Sequence, residues 1–88
     1  MHSEKLTLRP EVLAFAQLME QRLRDKDEVK QRSWKAMNET DLTVHAISKA
    51  LRLEQAVKSK FTDRARYAVD LANFSMMIAD VAGALNLE

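Results

Sequence analysis

The sequence predicts an all-α fold, a bundle of about three helices completed by association with further copies of the chain. Three observations carry this expectation. Hydrophobic residues make up 47% and charged residues 31% of the 88 positions, with a single Gly and a single Pro, a balance of helical globules rather than of disordered chains. Apolar residues recur at three- and four-residue steps in three separate stretches, and neither an alternating strand pattern nor an internal repeat is present. A chain this short has room for one small core with a modest margin of stability, so self-association into a dimer or tetramer is expected. Residues 1–88 read as one domain, with 1–7 as a flexible N-terminus.

The first helix is expected to start near Pro10, because proline fits a first helical turn, where its missing N–H costs nothing. Val12, Phe15, Met19 and Leu23 then share one face. The helix is expected to end in RLRDKDEVKQR, Arg22 to Arg32, a stretch polar enough to read as a solvated helix end and loop. Trp34 follows alone, a candidate to cover the end of the bundle, stack on a base or anchor a subunit contact.

Next comes NETDLT, Asn38 to Thr43, rich in capping residues, with Thr40 or Asp41 expected to accept from the free N–H groups of a second helix. Its predicted seam is Ile47, Ala50, Leu51, Glu54, Val57 and Phe61, which leaves Glu54 as the one carboxylate in that seam, paired with a base across the bundle. A turn over Lys60 to Asp63 leads to the third helix, capped by Thr62 or Asp63. Its seam runs Tyr67, Leu71, Phe74, Ile78, Val81, Leu85. At about 100° per residue Asp70 falls just inside the edge of that stripe, where a carboxylate is costly unless paired or metal-bound.

Several function classes lose support at this stage. There is no cysteine, so neither a disulfide framework nor a thiolate metal site can form. His2 and His45 have no second ligand at metal spacing, and no Ser has a His and an acid at the offsets of a nucleophilic triad. A net charge of +1 gives little support for nucleic-acid binding. No apolar run approaches a membrane span, and the first residues lack the apolar core of a secretory signal, so a cytoplasmic protein is expected. Met19, Met37, Met76 and Met77 read as core or interface fillers. On the second helix Lys49 and Arg52, three residues apart, form a possible cationic patch with Ser48, suited to a phosphate or a carboxylate, or simply an ordinary wet face.

The stretches LRPEVLAFAQLMEQRL and AVDLANFSMMIADVAGAL, with a Trp after a charged segment between them, resemble the small MazG-like nucleoside triphosphate pyrophosphohydrolases, especially short versions common in phages and prophages. The likeness runs from about Leu8 to Leu85 and is strongest in the last helix. It implies an all-α dimer or tetramer that cleaves NTPs or dNTPs to the monophosphate and pyrophosphate. It further implies Mg²⁺ held by Glu-Glu-x-x-Glu on one helix and Glu-x-x-Asp on the next, with an Asn three residues later. Asp70 matches that Asp and Asn73 that Asn.

The departures are chemical. Tyr67 stands where the last Glu is expected, and aligning RLEQAV, Arg52 to Val57, with the end of the central motif puts Ser48, Lys49 and Arg52 at its three glutamates. In any register Glu54 is the one acid from Leu42 to Thr62, and a single carboxylate does not hold the cation that phosphoryl chemistry needs. The glycines that usually precede the Trp are replaced by Arg32 and Ser33.

The resulting expectation is a catalytically degenerate MazG-like protein that acts by binding, with no catalytic residue and no cofactor. Lys49 and Arg52 would take phosphate in place of the metal, with Asp70, Asn73 and Trp34 nearby, making the cleft a nucleotide sensor or sponge; Asp70 would be a remnant of the metal site, held by a cationic partner. Two rivals stand beside it. One is an accessory module that binds a host protein through an exposed helical face. The other is a residual Mg²⁺-dependent hydrolase that borrows Glu20, Glu28 or Glu54.

Overall fold

A computed structural model describes residues 6–27, 32–60 and 62–85. It is all-helical, with helices α1 (Pro10–Lys26), α2 (Glu39–Ser59) and α3 (Arg64–Val81), and a short 3₁₀ turn, Ser33–Ala36, between α1 and α2. No strand occurs among the described residues. The positions His2, Glu28 and Phe61, and most of the expected flexible terminus, lie outside them.

Local chemistry sets the helix ends. Pro10 opens α1 as expected, at the first turn. For α2 the cap is Asn38 rather than Thr40 or Asp41: its Oδ1 accepts from the Asp41 N–H at 2.8 Å, placing Thr40 and Asp41 inside the first turn. Glu39 and Asp41 there favour the positive end of the helix dipole. Lys60 stops α2 by turning left-handed at φ 58°, its N–H reaching back to the Ala56 and Val57 carbonyls. Asp63 is the N-cap residue of α3 but makes no side-chain capping bond; its carboxylate bonds Arg66 at 3.2 Å instead. The one glycine of the chain, Gly83, follows α3 at φ 81°, a conformation that most other residues resist. There the Gly83 and Ala84 N–H groups close the helix on the Asp80 and Ala79 carbonyls.

Both α1 and α2 pack on α3, the central element. The buried apolar core among the described residues is small, consisting of Leu42, Ala56 and Val69. With them are buried two polar side chains of α3, Asp70 at 3% and Asn73 at 4% exposure. Asp70 therefore lies at the heart of the packing, not at the edge of a stripe. Tyr67, Leu71, Phe74, Ile78 and Val81 of the expected α3 seam are half-buried around it, while Leu85 is exposed.

The α2 seam is the opposite of the expected one. Ile47 and Leu51 are 55% and 57% exposed, and Val57 is exposed as well; Leu42, Ala46, Lys49, Leu53 and Ala56 line the more buried side. Periodicity favoured the stripe with the larger apolar side chains, but α2 has a second one about half a turn round. That second stripe has alanines that permit close approach to α3 and carries Lys49, the cation that a buried Asp70 requires. Glu54 consequently lies on the outside, bonded to Lys58 of its own helix at 3.5 Å rather than across the bundle. On α1, Met19 and Leu23 are half-buried as expected, whereas Val12 and Phe15 continue the same stripe into solvent.

Candidate functional site

Asp70 is held on both carboxylate oxygens. Arg22 of α1 donates from Nε to Oδ1 at 2.8 Å and from Nη2 to Oδ2 at 3.3 Å, and Lys49 of α2 places its Nζ 3.2 Å from Oδ2. All three helices therefore meet in one charge cluster. Burial alone would push the Asp70 carboxyl up, but the bonds from Arg22 and Lys49 outweigh it, and its pKa lies below the ordinary 3.8. The Arg22 guanidinium is correspondingly pushed above its ordinary value, chiefly by its bond to Asp70. Tyr67 presents its ring to two cations, the Lys49 ammonium at 5.9 Å and the Arg66 guanidinium at 5.2 Å from the centroid. A Tyr at that position thus suits a cation beside Asp70 where a Glu would suit a metal.

A divalent cation does not fit this arrangement. Two positive groups lie against the Asp70 oxygens, and among the described residues no three His, Cys, Asp or Glu side chains come together as a metal-binding group. Of the acids considered as substitutes, Glu20 pairs with Arg24 at 2.8 Å and Glu54 with Lys58, both on exposed surfaces, and Glu28 lies outside the described residues.

Beside the charge cluster lies a cleft between α1, the 3₁₀ turn and α3, with Trp34, Met37, Phe74 and Met77 as its apolar walls and Arg22 and Asn73 among its polar lining. His45 and Phe74, also in the lining, stack with centroids 5.2 Å apart and planes 12° from parallel. Asn73 donates from Nδ2 to the Met19 carbonyl at 3.2 Å. That bond fixes the orientation of the amide, and its buried Oδ1 has no hydrogen-bond partner. An orphan acceptor at this depth costs about 1–3 kcal/mol.

Of the residues singled out in the sequence, Trp34, Asp70 and Asn73 line this one cleft. Lys49 is turned inward onto Asp70, and Arg52 is exposed beside a separate hollow with Gln55, Ala56 and Tyr67. Ser48 is exposed too, so the Ser48, Lys49 and Arg52 side chains do not form one patch. The bases lining the cleft are Arg22 and Lys26, both within the stretch read as a solvated helix end. The signal for Arg22 was its place on the α1 face of Met19 and Leu23, three residues after the one and directly before the other.

Trp34 is pinned at this site by the last turn of α3. Its Nε1–H donates to Asp80 Oδ2 at 3.1 Å, and Lys35 bonds the same oxygen at 2.6 Å. Those two bonds, that of Lys35 first, hold the Asp80 carboxyl below 3.8. Because the depressed pKa belongs to the folded state, the latch is intact above pH 3.8 and weakens as the pH falls through the folded value. Trp34 is the only tryptophan, so tryptophan fluorescence reports the surroundings of this ring. Asp80→Ala is expected to shift the emission to longer wavelength at neutral pH while the far-ultraviolet circular dichroism stays helical; an unchanged spectrum would show that Asp80 does not position the ring.

No protein-family model, no curated protein and no solved structure matches this chain.

Proposed function

We propose that this chain is a catalytically degenerate MazG-like protein that binds a nucleoside or nucleotide without metal, in the cleft beneath Trp34. The observation that carries the reading is the cleft walled by Trp34, Phe74 and Met77, with Arg22 and Asn73 in its polar lining. Aromatic walls take a planar base, and an N–H donor of the ligand that reached the buried, unpartnered Asn73 Oδ1 would remove the penalty of the orphan oxygen. Negative charge on such a ligand meets Arg22 and Lys26 rather than the Lys49 and Arg52 expected from the sequence. Arg22 spends two of its five N–H donors on Asp70 and keeps the others. The loss of hydrolysis follows from the same cluster, because the Asp70 oxygens are already neutralised by protein cations.

Isothermal titration with a panel of NTPs, dNTPs, monophosphates and cyclic nucleotides, in chelator, tests this reading. At least one member is expected to bind, to quench or shift Trp34 fluorescence, and to lose at least about tenfold in affinity in Asn73→Leu, the loss of one good hydrogen bond. The same variant is expected to change the melting temperature little, since it removes an unsatisfied buried acceptor together with the bond to the Met19 carbonyl. Absence of heat for every ligand with folded protein would sink the proposal. Pyrophosphate release that needs Mg²⁺ and vanishes in Asp70→Ala would replace it with the residual hydrolase.

A further inference from the structure

We infer that α1 is a detachable wall of the cleft: it undocks from α3 as a unit while α2, α3 and the 3₁₀ turn stay in place, which opens the side lined by Arg22, Leu23 and Lys26 to solution. The inference does not rest on the ligand reading, because the movement belongs to the chain alone.

The packing of α1 is thin and confined to one end. No residue of α1 is buried; residues 10–18 are exposed throughout, and the half-buried positions are Met19, Arg22, Leu23 and Lys26. The core residues Leu42, Ala56 and Val69 belong to α2 and α3, and α2 packs on α3 far more extensively than α1 does. An element that buries little surface opens at a lower free energy than the rest of its fold. Three of the four half-buried side chains of α1 line the cleft, so the loosely held element is one of its walls.

The polar contacts lower the cost of release. When α1 leaves, Asp70 loses Arg22 but keeps Lys49 of α2 at 3.2 Å, so the carboxylate stays paired and the α2–α3 hairpin is left with no lone charge inside it. Arg22, already 28% exposed, regains its full hydration. Asn73 gives up the bond from Nδ2 to the Met19 carbonyl, but its stranded Oδ1 gains water. An unsatisfied acceptor weighs about as much as the bond lost, so this contact holds α1 only weakly. The opposite wall is fastened separately, since Trp34 and Lys35 both bond Asp80 of α3 and neither bond involves α1. Once undocked, α1 has no surface to pack on, and a segment of 17 residues is only marginally helical by itself. Its amides therefore exchange with water while it is away.

Hydrogen exchange of the full chain, followed residue by residue by NMR across a series of urea concentrations, tests this. The amides of residues 23–26, in the docked end of α1, are expected to be at least about tenfold less protected than the slowest amides of α2 and α3. Their dependence on urea is expected to be weaker as well, because less surface opens. Leu42→Ala, which loosens α2 against α3, is expected to speed the slowest α2 and α3 amides at least about tenfold and to leave residues 23–26 within about twofold of wild type. One shared protection level and one urea slope for all three helices overturns the inference. An equal response of residues 23–26 to Leu42→Ala overturns it too. If that variant does not fold, the wild-type urea slopes decide.

Discussion

Asp70→Ala is expected to lower the melting temperature by roughly 12–24 °C, the equivalent of about 3 kcal/mol in a domain of this size. The carboxylate is 3% exposed and is ion-paired with both Arg22 and Lys49. Removing it leaves two cations facing each other at the junction of the three helices. Losing one member of a buried pair costs about 3–5 kcal/mol, and the lower end applies because the Arg22 and Lys49 side chains, 28% and 22% exposed, can recover part of their hydration. Thermal melts followed by circular dichroism measure the change. The triple variant Arg22→Met/Lys49→Met/Asp70→Leu is expected to recover most of it, since apolar groups of similar volume replace a buried ion cluster at little or no cost. A melting temperature unchanged in Asp70→Ala would mean that the cluster does not join the helices as described.

The same cluster fixes a pH dependence and a metal response. Asp70 has a folded pKa below 3.8, so in the unfolded chain it takes up a proton at a higher pH than in the folded one. Its stabilising contribution is therefore complete above pH 3.8 and is lost as the pH falls through the depressed folded value. Arg22, whose pKa is raised above its already high ordinary value by its bond to Asp70, stays charged throughout the accessible range and adds no second transition. Addition of Mg²⁺ at neutral pH is expected to leave the melting temperature unmoved, because a bound ion would have to displace both cations from Asp70.

What the sequence disclosed follows the strength of each local signal. Three helices at nearly these limits were legible because Pro10, the NETDLT segment and the last apolar repeat are strong and local. That Asp70 needed a cation was legible from its position on an apolar helix, since a lone buried carboxylate is untenable. Which cations serve it was legible only in part: Lys49 was expected close to Asp70, as a phosphate-binding base, and Arg22 was not expected there. Lys49 lay on a face of α2 that looks wet by periodicity, and Arg22 lay in a stretch that looks solvated by composition. Each becomes a partner only when two helices settle on α3, a long-range outcome that a periodicity within one segment does not encode. The cleft was half legible for the same reason: Asn73 and Trp34 were conspicuous by type, but His45 beside Phe74 and the orphan state of Asn73 Oδ1 exist only in the packed arrangement.

Leu42 and Leu51 turn the choice of the α2 face into a measurement. Nine residues apart, they lie about half a turn from each other around the helix axis. Leu42 is 0% exposed and Leu51 is 57% exposed. Leu42→Ala is expected to cost about 3 kcal/mol at any protein concentration, the lost transfer energy plus the cavity left between α2 and α3. Leu51→Ala removes the same atoms from a surface position and is expected to cost less than about 0.5 kcal/mol. Thermal melts of the two variants at one protein concentration measure the difference. Equal costs for the two alanines would mean that Leu51 is covered as fully as Leu42 and would overturn the assignment of Leu42, Lys49 and Ala56 to the one buried face of α2.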